Sequence, residues 1–257
     1  MNAGNFTLIT GASRGIGAAF AEALAAQGQN LVLTARSTAD LEALRRRLVR
    51  PGQSIICLSA DLNRGGAAVV LAALAERGIA IDLLINNAGL GSGGGFETLG
   101  AERELEEVRV NVESLVALTH GLLPAMLARG RGAVINVGST AGFQPVPYLA
   151  TYAATKAFVL HFSLALYQEM RGRGVHVMAL CPGPTETPFF AAAGIRPRNG
   201  MQSPQQVVEL ALRGLAGRRA FVVCGTGNRA LIAAERLLPR TILLKIVAGM
   251  IQKWHRV

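Results

Sequence analysis

Residues 5–28 read NFTLITGASRGIGAAFAEALAAQG, which is a short apolar run, a glycine-rich turn and a long helical pattern in immediate succession. The run at 5–10 has the composition of a strand that is covered on both faces. The turn places glycines at 11, 15 and 17. Glycine lets the main chain approach a pyrophosphate closely, and the helix N-terminus offers unpaired N–H groups. The segment predicts the strand, turn and helix of a dinucleotide-binding sheet, with a ligand-free turn as the alternative.

The same alternation of apolar runs and helical patterns continues as far as residue 225. Further strands are predicted at 30–35, 54–59, 82–86, 132–138, 174–181 and 220–224. Helices are predicted at 15–28, 38–49, 63–77, 101–129, 150–172, 204–216 and 229–255. Strands that alternate with helices form right-handed βαβ units, so we expect one α/β domain over residues 1–257, with a doubly wound sheet of seven parallel strands. Pro124 should kink or interrupt the fourth helix.

The composition excludes several classes of protein. Hydrophobic residues make up 51% of the chain and charged residues 16%, which is typical of a globular protein with a large core. The net charge is +10, but the arginines are scattered and aromatic residues are sparse, so we expect no nucleic-acid partner. Three separated cysteines, and four histidines without ligand spacing, predict neither a disulfide framework nor a metal site. No export signal is visible, so we expect a cytoplasmic location.

The end of the second predicted strand discriminates between dinucleotides. NAD sites usually have an acidic residue there that accepts hydrogen bonds from the ribose hydroxyls. This chain instead has Arg36 in the sequence TARS, with no acid beside it, and Arg14 in the glycine turn adds a second cation. Two guanidinium groups can bind a 2′-phosphate that a carboxylate would repel. The expected cofactor is NADP(H). The alternative is that Arg36 is an ordinary exposed loop residue.

Residues 151–158 read TYAATKAF, with Tyr152 four positions ahead of Lys156. Only three of the 26 basic residues are lysines, so a lysine at this position indicates a chemical requirement. Four residues make about one helical turn, which places both side chains on one face. An ammonium beside the phenol stabilises the phenolate and lowers the pKa of a tyrosine from its ordinary value of ~10. Tyr152 is therefore predicted to donate and accept a proton near neutral pH.

Several motifs in this order resemble the short-chain dehydrogenase/reductase family. TGASRGIG (10–17) resembles its cofactor turn, NNAG (86–89) its fourth-strand motif, YAATK (152–156) its Tyr-x-x-x-Lys pair and CPGPTETP (181–188) its P-G segment. Asn111 and Ser139 match its helix asparagine and its catalytic serine. The resemblance runs over nearly the whole chain. It implies a Rossmann fold and an NADP(H)-dependent carbonyl reductase or alcohol dehydrogenase.

By that resemblance, Tyr152 is the general acid/base and Ser139 orients the substrate oxygen. Lys156 tunes the tyrosine and anchors the nicotinamide ribose, and Asn111 belongs to a water-mediated proton relay. The resemblance also implies a cofactor-binding set, namely Gly11, Ser13, Arg14, Gly15, Ile16, Gly17, Arg36, Asp61, Leu62, Asn87, Ala88, Gly89, Tyr152, Lys156, Pro182, Gly183, Thr185 and Thr187. It further implies a homodimer or homotetramer built through the helices near 101–129 and 150–172.

Each match has a plainer alternative when it is taken singly. A serine after a strand is often a turn or cap residue, and Asn111 alone fits a polar helix position. A non-catalytic NADP(H)-sensing protein of the same fold is the functional alternative to an enzyme. The complete serine, tyrosine and lysine set favours the enzyme.

The substrate side is predicted from apolar residues. Residues 144–148 should form one wall, Phe143, Phe189 and Phe190 the far side, and the glycine run 91–95 an open, flexible rim. These features predict a hydrophobic carbonyl substrate, such as a long-chain ketone, a ketoacyl group or a steroid-like ketone. The alternative is that the apolar groups only pack a lid, formed by the long loop 184–204, onto the protein.

The C-terminal segment, 229–257, is predicted to be one amphipathic helical extension. Leu243, Val247, Met250 and Trp254 form an apolar stripe, and Lys245, Gln252, Lys253 and Arg256 gather on the opposite side. A basic amphipathic helix with a terminal tryptophan can lie at a membrane surface, and it can equally cover its own subunit or a partner's. We expect packing on protein, with peripheral contact to a membrane as the alternative.

Overall fold

The computed structural model describes residues 6–195, 200–235 and 239–255, with the side chains of Arg240 and residues 250–255 left out. Its strands form one seven-stranded sheet in the order β3-β2-β1-β4-β5-β6-β7, and every described pairing is parallel. The strands are β1 Phe6–Thr10, β2 Asn30–Ala35, β3 Ile55–Ser59, β4 Ile81–Asn86, β5 Gly132–Val137, β6 Val175–Cys181 and β7 Phe221–Val223. The predicted doubly wound parallel sheet is confirmed.

Ten α-helices connect and cover these strands in the described part of the chain. They are α1 Gly15–Ala26, α2 Thr38–Leu48, α3 Gly66–Glu76, α4 Ala101–Val108, α5 Ser114–Ala128, α6 Ala150–Glu169, α7 Phe189–Ala192, α8 Pro204–Ala216, α9 Thr226–Glu235 and α10 Arg240–His255. Helices α1, α2 and α8 cover one face of the sheet, and α3, α5 and α6 cover the other.

The sheet is buried on both faces, which explains the continuous apolar runs in its strands. In β1, Ile9 belongs to the core beneath α1 and α8, while its neighbour Leu8 belongs to the core beneath α3 and α5. Both side chains are 0% exposed. Successive strand residues point to opposite faces, so each strand contributes to both cores.

The strand order reverses direction between β1 and β4, where successive connections pass to opposite sides of the sheet. Ligands bind open α/β sheets in the crevice at such a switch point, outside the carboxyl ends of the strands. The glycine turn at 11–17 and the NNAG segment follow these two strands directly. The fold therefore brings the two motifs together at one edge of the sheet.

The predicted helix 101–129 is divided into three parts. Helix α4 ends at Val108, a π-helical turn spans Arg109–Glu113, and α5 begins at Ser114. Pro124 was predicted to kink or interrupt this helix, and the interruption is wrong, because α5 continues past it to Ala128. The irregularity lies instead at the π turn, which buries Asn111. Single π turns inside helices are common at functional sites because they re-aim side chains.

The helical stretch Ala101–Ala128, from α4 through the π turn to α5, is also long and apolar enough, by length and composition, to cross a membrane. Leu118 and Met126 on this helix are 0% exposed and pack in the core against Leu8 and Val134 of the sheet. We interpret it as a core helix.

The single helix predicted at 229–255 is wrong, because the segment forms two helices, α9 and α10. Pro239 lies directly before α10, and its carbonyl accepts hydrogen bonds from the N–H groups of Ile242 and Leu243. A proline lacks an N–H group and is suited to the start of a helix but not to its interior. Residues 236–238 lie outside the described part.

Helix α10 packs on its own subunit through the first half of the predicted stripe. Leu243 and Val247 are buried against Val146, Leu149 and Ile195. Ile242, Leu244 and Ile246 on the flanks of the helix are exposed, as is Lys245. The side chains of Met250, Gln252, Lys253 and Trp254, and the whole of Arg256, lie outside the described part. Contact with a membrane surface stays a prediction.

Candidate active site

A cleft with a cavity volume of about 580 Å³ lies along the carboxyl ends of the strands. Nearly all of the predicted site residues line it, namely Gly11, Ser13, Arg14, Gly15, Ile16, Arg36, Asp61, Leu62, Asn87, Ala88, Gly89, Ser139, Tyr152, Lys156, Pro182, Gly183, Thr185 and Thr187. Gly17 and Asn111 do not line it and act from behind its wall. One continuous site is therefore assembled from segments spread over 177 positions of sequence, from Gly11 to Thr187.

The glycine turn is fixed to the NNAG segment by a compact set of hydrogen bonds. Asn87 Nδ2 donates to the carbonyls of Thr10 (2.8 Å) and Gly11 (3.2 Å). The Thr10 hydroxyl accepts from the main-chain N–H groups of Asn87 and Ala88, both at 2.9 Å. Gly11 has φ +63°, and a Cβ on Gly17 would lie 2.3 Å from the Gly11 carbonyl oxygen. No other residue fits at position 17, because the turn closes onto the helix there.

This turn leaves a cradle in front of the N-terminus of α1. Gly15 has φ +56°, and a Cβ there would lie 3.0 Å from Cγ2 of Thr187. Arg14 precedes the helix in an extended conformation, without a side-chain cap on its first N–H groups. Free N–H groups, close main-chain approach and the positive dipole end suit a pyrophosphate. The residues present therefore fit the phosphates of a dinucleotide.

An acidic residue lies closer to this end of the cleft than the sequence indicated. Asp40 Oδ2 is 3.4 Å from Arg14 Nη2, and both side chains are largely exposed. The expectation that no acid is nearby is wrong, because Ser37 caps α2 by accepting from the Asp40 N–H at 3.2 Å and so places Asp40 in the first turn. The sequence S-T-A-D is a helix-start signal that could have located it. Arg36 lines the cleft on the same side.

The predicted catalytic residues meet in the same cleft, away from the glycine turn. Ser139 follows β5, and its hydroxyl accepts from the Ala141 N–H at 3.1 Å and hydrogen-bonds to the Tyr152 phenol. Tyr152 and Lys156 project from the same side of α6, with Lys156 Nζ 5.7 Å from the centre of the Tyr152 ring. Lys156 Nζ donates to the Val137 carbonyl at 2.9 Å. The alternative prediction, that Ser139 is a cap residue, is also confirmed, since it caps the short 3₁₀ turn Thr140–Gly142.

Burial dominates the acid–base properties of this pair. It raises the pKa of Tyr152 to about 12, against a smaller lowering by the Ser139 hydrogen bond. Burial also lowers the pKa of Lys156 to about 8. The expected depression of the tyrosine pKa is therefore wrong for the protein alone. The reason is that desolvation of the phenolate is the largest effect on this pKa and outweighs the hydrogen bond from Ser139.

Asn111 lies behind the cleft wall and holds the main chain of Leu90. Its Oδ1 accepts from the Leu90 N–H at 2.8 Å, and its Nδ2 donates to the Leu90 carbonyl at 2.9 Å and to the Thr155 hydroxyl at 3.0 Å. A Cβ on Gly89 would lie 3.3 Å from Lys156 Nζ and 3.4 Å from Asn111 Oδ1. Asn111 is thus close to Lys156 through the space that Gly89 leaves open. Thr155 is a site residue that the sequence analysis missed.

The outer end of the cleft is mostly apolar. It is lined by Val146, Leu149, Phe189, Phe190, Ile195, Leu231, Ile232 and Val247, with Gln144, Asn228 and Glu235 as polar members. Gln144, Val146, Phe189 and Phe190 were predicted to lie there. The residues from α9 and α10 were missed, because no local sequence pattern indicates which distant helix will cover a cleft.

Three predictions about this end are wrong in whole or in part. Phe143 does not line the cleft and packs against Phe221, with ring centres 6.3 Å apart. The glycine run 91–95 is not an open rim, because the Gly93 N–H donates to the Ala193 carbonyl at 2.9 Å and the Gly94 N–H to the Tyr148 carbonyl at 3.0 Å. Pro145, Pro147 and Tyr148 also lie outside the cleft lining. The run was predicted to be flexible, but main-chain hydrogen bonds hold it in place, and close packing favours glycine at position 91, where a Cβ would lie 2.6 Å from Cζ of Phe189.

Comparison with known proteins gives one consistent result. The family model described as short chain dehydrogenase matches residues 5–196. A putative ketoacyl reductase of monensin polyketide synthesis from Streptomyces virginiae is 40% identical over 186 residues, which is 71% of this chain and 71% of that protein. Hydroxysteroid dehydrogenase-like protein 1 from Gallus gallus is 36% identical over 184 residues, 70% of this chain. The match spans only 55% of the length of the chicken protein.

A solved structure is similar over almost the full chain. It is a short-chain dehydrogenase from Sphingobium yanoikuyae in complex with NADPH, with a TM-score of 0.82 and 37% sequence identity. The alignment covers 90% of this chain and 94% of that one.

Proposed function

The chain belongs to the short-chain dehydrogenase/reductase family, and on that premise we propose that it is an NADP(H)-dependent oxidoreductase that interconverts an apolar carbonyl compound and its alcohol. The observation that carries the proposal is that Ser139, Tyr152 and Lys156 meet in the same cleft as the phosphate cradle. Membership of the family makes an oxidoreductase activity secure. The substrate class and the role of the tyrosine are the proposed part.

In this proposal, Tyr152 transfers the proton that accompanies the reduction or oxidation. Its phenol points into the cleft and shares a hydrogen bond with the Ser139 hydroxyl, so both oxygens can hold the same substrate oxygen. A pKa of about 12 keeps Tyr152 protonated at neutral pH, which suits proton donation to a carbonyl that is being reduced. When bound, the nicotinamide supplies or accepts the hydride.

Lys156 supports this proton transfer from α6. Its ammonium is anchored by the Val137 carbonyl and lies over the Tyr152 ring, so it stabilises negative charge that develops on the phenol oxygen. Its lowered pKa of about 8 means that this support weakens above neutral pH. Asn111 is separated from it by the open space at Gly89. A water in that space would complete the predicted relay.

NADP(H) is supported by the charges at the other end of the cleft. Arg14 and Arg36 are exposed there and flank the residues that would hold the adenosine ribose. Guanidinium groups bind a 2′-phosphate through charge-assisted hydrogen bonds. The similar Sphingobium enzyme was solved with NADPH.

An apolar substrate is supported by the outer cleft. The side chains of Phe189, Val146 and Val247 enclose the space in front of Tyr152, and ring centres of Phe189 and Tyr152 are 5.2 Å apart. Burial of alkyl surface there favours a bulky or long-chain carbonyl compound. The names of the relatives, a ketoacyl reductase and a hydroxysteroid dehydrogenase-like protein, belong to the same chemical range.

The test is NADPH oxidation with ketones and ketoacyl thioesters of graded chain length, measured on the native protein, on Tyr152→Phe and on Tyr167→Phe. Tyr167 is on the same helix but outside the cleft, so its variant is the matched control. We expect Tyr152→Phe to lower kcat about a thousandfold, because a positioned general acid contributes roughly 10²–10⁴. We expect kcat/KM to rise with apolar chain length.

Tight NADPH binding without turnover of any member of this series would contradict the proposal and favour the non-catalytic sensor. Equal activity in Tyr152→Phe and Tyr167→Phe would remove Tyr152 from the mechanism.

A further inference from the structure

A cluster of buried acidic side chains lies directly behind the cleft wall and has no part in the mechanism above. Glu104 is 8% exposed and Glu107 is 0% exposed. They are neighbours across one turn of α4, and a carboxylate oxygen of each contacts the Oγ of Ser92, which is also buried. Two buried carboxylates that share one partner cannot both be ionised without a large cost.

The hydrogen-bond count points to a proton in this cluster. A serine hydroxyl has one proton to donate, whereas an ionised carboxylate only accepts. Ser92 Oγ contacts Oε1 of both glutamates. With both carboxylates ionised, the two contacts would have to share that one proton, whereas a protonated carboxyl that donates to Oγ gives each contact a proton of its own. The geometry therefore favours at least one carboxylic acid in the cluster.

Glu107 is the better site for that proton. Its side chain is fully buried, and its Oε2 has no hydrogen-bond partner among the described residues. Burial raises the pKa of Glu107, and the charge of Glu104 raises it further, while hydrogen bonds from Ser92 and the charge of Arg103 act in the opposite direction. An unpartnered oxygen in a buried position is tolerated far better in a neutral acid than in an anion.

The cluster supports the segment of wall that touches Tyr152. A Cβ on Gly91 would lie 3.2 Å from Cδ2 of Tyr152 and 2.6 Å from Cζ of Phe189, so the Gly91 main chain packs against both rings. Behind it, Arg103 Nη2 donates to the Gly91 carbonyl at 3.3 Å, and Ser92 is held by the two glutamates. Asn111, one turn after Glu107, holds Leu90.

The ionisable groups that face Glu107 come from two helices. Glu104 and Arg103 are on its own helix, and Tyr152 and Lys156 are on α6. A negative charge on Glu107 raises the pKa of Tyr152 and of Lys156. Ionisation of Glu107 would therefore make the Tyr152 phenolate harder to form.

We propose that Glu107 is a neutral carboxylic acid in the working protein, and that through Ser92 it is a positioning residue for the Leu90–Ser92 wall against Tyr152. The inference rests on the proposed function, since it assigns Tyr152 the proton transfer. Neutral Glu107 holds the wall without placing a negative charge behind the phenol. At high pH its ionisation opposes alcohol oxidation, which needs the phenolate, and adds repulsion from Glu104.

The first test does not depend on turnover. Infrared spectra at neutral pH are compared for the native protein, Glu107→Gln and Glu113→Gln, where Glu113 is an exposed residue that follows on the same helical stretch. The native protein and Glu113→Gln are expected to show the C=O band of a protonated carboxyl that Glu107→Gln lacks. Identical spectra for all three proteins would overturn the proposal.

The second test compares how pH affects unfolding. A raised pKa means that the folded protein binds a proton that the unfolded chain releases, so Glu107 lowers the stability as pH rises above its ordinary pKa of 4.5. The midpoint of thermal unfolding should fall less steeply with pH in Glu107→Gln than in the native protein and Glu113→Gln. An unchanged slope would contradict a neutral Glu107.

The third test uses alcohol oxidation with NADP⁺ as a function of pH. We expect Glu107→Gln to keep kcat within about twofold of the native value at neutral pH. Its kcat should begin to rise at a lower pH than in the native protein, because the phenolate no longer meets a carboxylate charge.

Ser92→Ala removes the hydroxyl that contacts both glutamates. It should lower kcat about tenfold, because the Leu90–Ser92 wall is then no longer held in place. If the pH profile of alcohol oxidation is the same for Glu107→Gln and the native protein, the claim that ionised Glu107 opposes formation of the Tyr152 phenolate is overturned. If the native protein shows the infrared band but does not turn over any substrate, the proposed function is contradicted and the neutral state of Glu107 is not.

Discussion

The two ends of the cleft are built in different ways. The phosphate end consists of one short stretch, Thr10–Gly17, which is held to Asn87 by three hydrogen bonds and to Ala88 by a fourth, and is completed by Arg36 at the end of the next strand. The substrate end is assembled from the segment after β4, the segment before α6, helix α7 and parts of α9 and α10. The first end has main-chain geometry that few residues satisfy, and the second has apolar side chains that many residues can replace.

This difference separates what the molecule must keep from what it can vary. At the phosphate end, a Cβ on Gly17 would overlap the Gly11 carbonyl, so substitution disturbs the backbone. At the substrate end, Val247 contributes only side-chain surface from a helix far along the chain. Cofactor choice should therefore respond to single charges at one end, and substrate size to single methyl groups at the other. The two responses should be independent of each other.

Among substitutions at the two ends of the cleft, the largest effect is expected for Arg36→Asp. Removal of the guanidinium and addition of a carboxylate should lower the preference for NADPH over NADH about ten- to hundredfold, since hydrogen bonds between charged groups are strong. Dissociation constants for both cofactors are measured by fluorescence titration. Arg46→Asp on the exposed side of α2 carries the same change of charge and serves as the control. An unaltered preference in Arg36→Asp would mean that the 2′-phosphate is read elsewhere.

A smaller effect is expected for Val247→Ala at the opposite end. Loss of two methyl groups that line the cleft should raise KM for a long-chain ketone about fifteenfold, at roughly 0.8 kcal/mol for each of two buried CH₂ groups. The affinity for NADPH should not change, and this contrast is the informative result. Ile246→Ala, one position earlier and exposed on the same helix, is the control. A matched loss of NADPH affinity in Val247→Ala would show that the two ends are coupled.

The smallest effect is expected for Asp40→Asn. The carboxylate of Asp40 competes with a 2′-phosphate for Arg14, but the ion pair is exposed and therefore weak. We expect NADPH affinity to increase about two- to threefold, with no change for NADH. Glu42→Gln on the same helix removes the same charge from an ion pair with Arg45 and is the control. A gain for NADH as well would point to general electrostatics and not to Arg14.

The residues proposed to be catalytic show how much the sequence alone can predict. The spacing of Tyr152 and Lys156 places them on one helical face, and their meeting with Ser139 follows from strand and helix order alone. The pKa values of Tyr152 and Lys156 did not follow from the sequence. They depend on how much water reaches the two groups, and this is decided by the segments around Gly91, Phe189 and Val137, which come from three other parts of the chain.

The glycine run 91–95 is a second case in which the sequence did not predict the structure. Its composition is typical of an exposed flexible loop, but the structure holds it between Ala193, Tyr148 and the glutamates of α4. Nothing within the run itself indicates these partners. Likewise, Asp40 is near Arg14 only because a helix cap turns the chain back toward the glycine turn.

By itself, the sequence determined the order of strands and helices, the position of the glycine turn and the residues that are proposed to carry the chemistry. These properties rest on local rules, namely side-chain periodicity, glycine geometry and one helical turn between two residues. The tertiary structure alone decided which helices cover the apolar end of the cleft, where α9 and α10 lie, and how burial shifts the pKa values of Tyr152, Lys156 and Glu107. The reason is that desolvation and packing are sums over neighbours that are distant in sequence, so they exist only once the chain has folded.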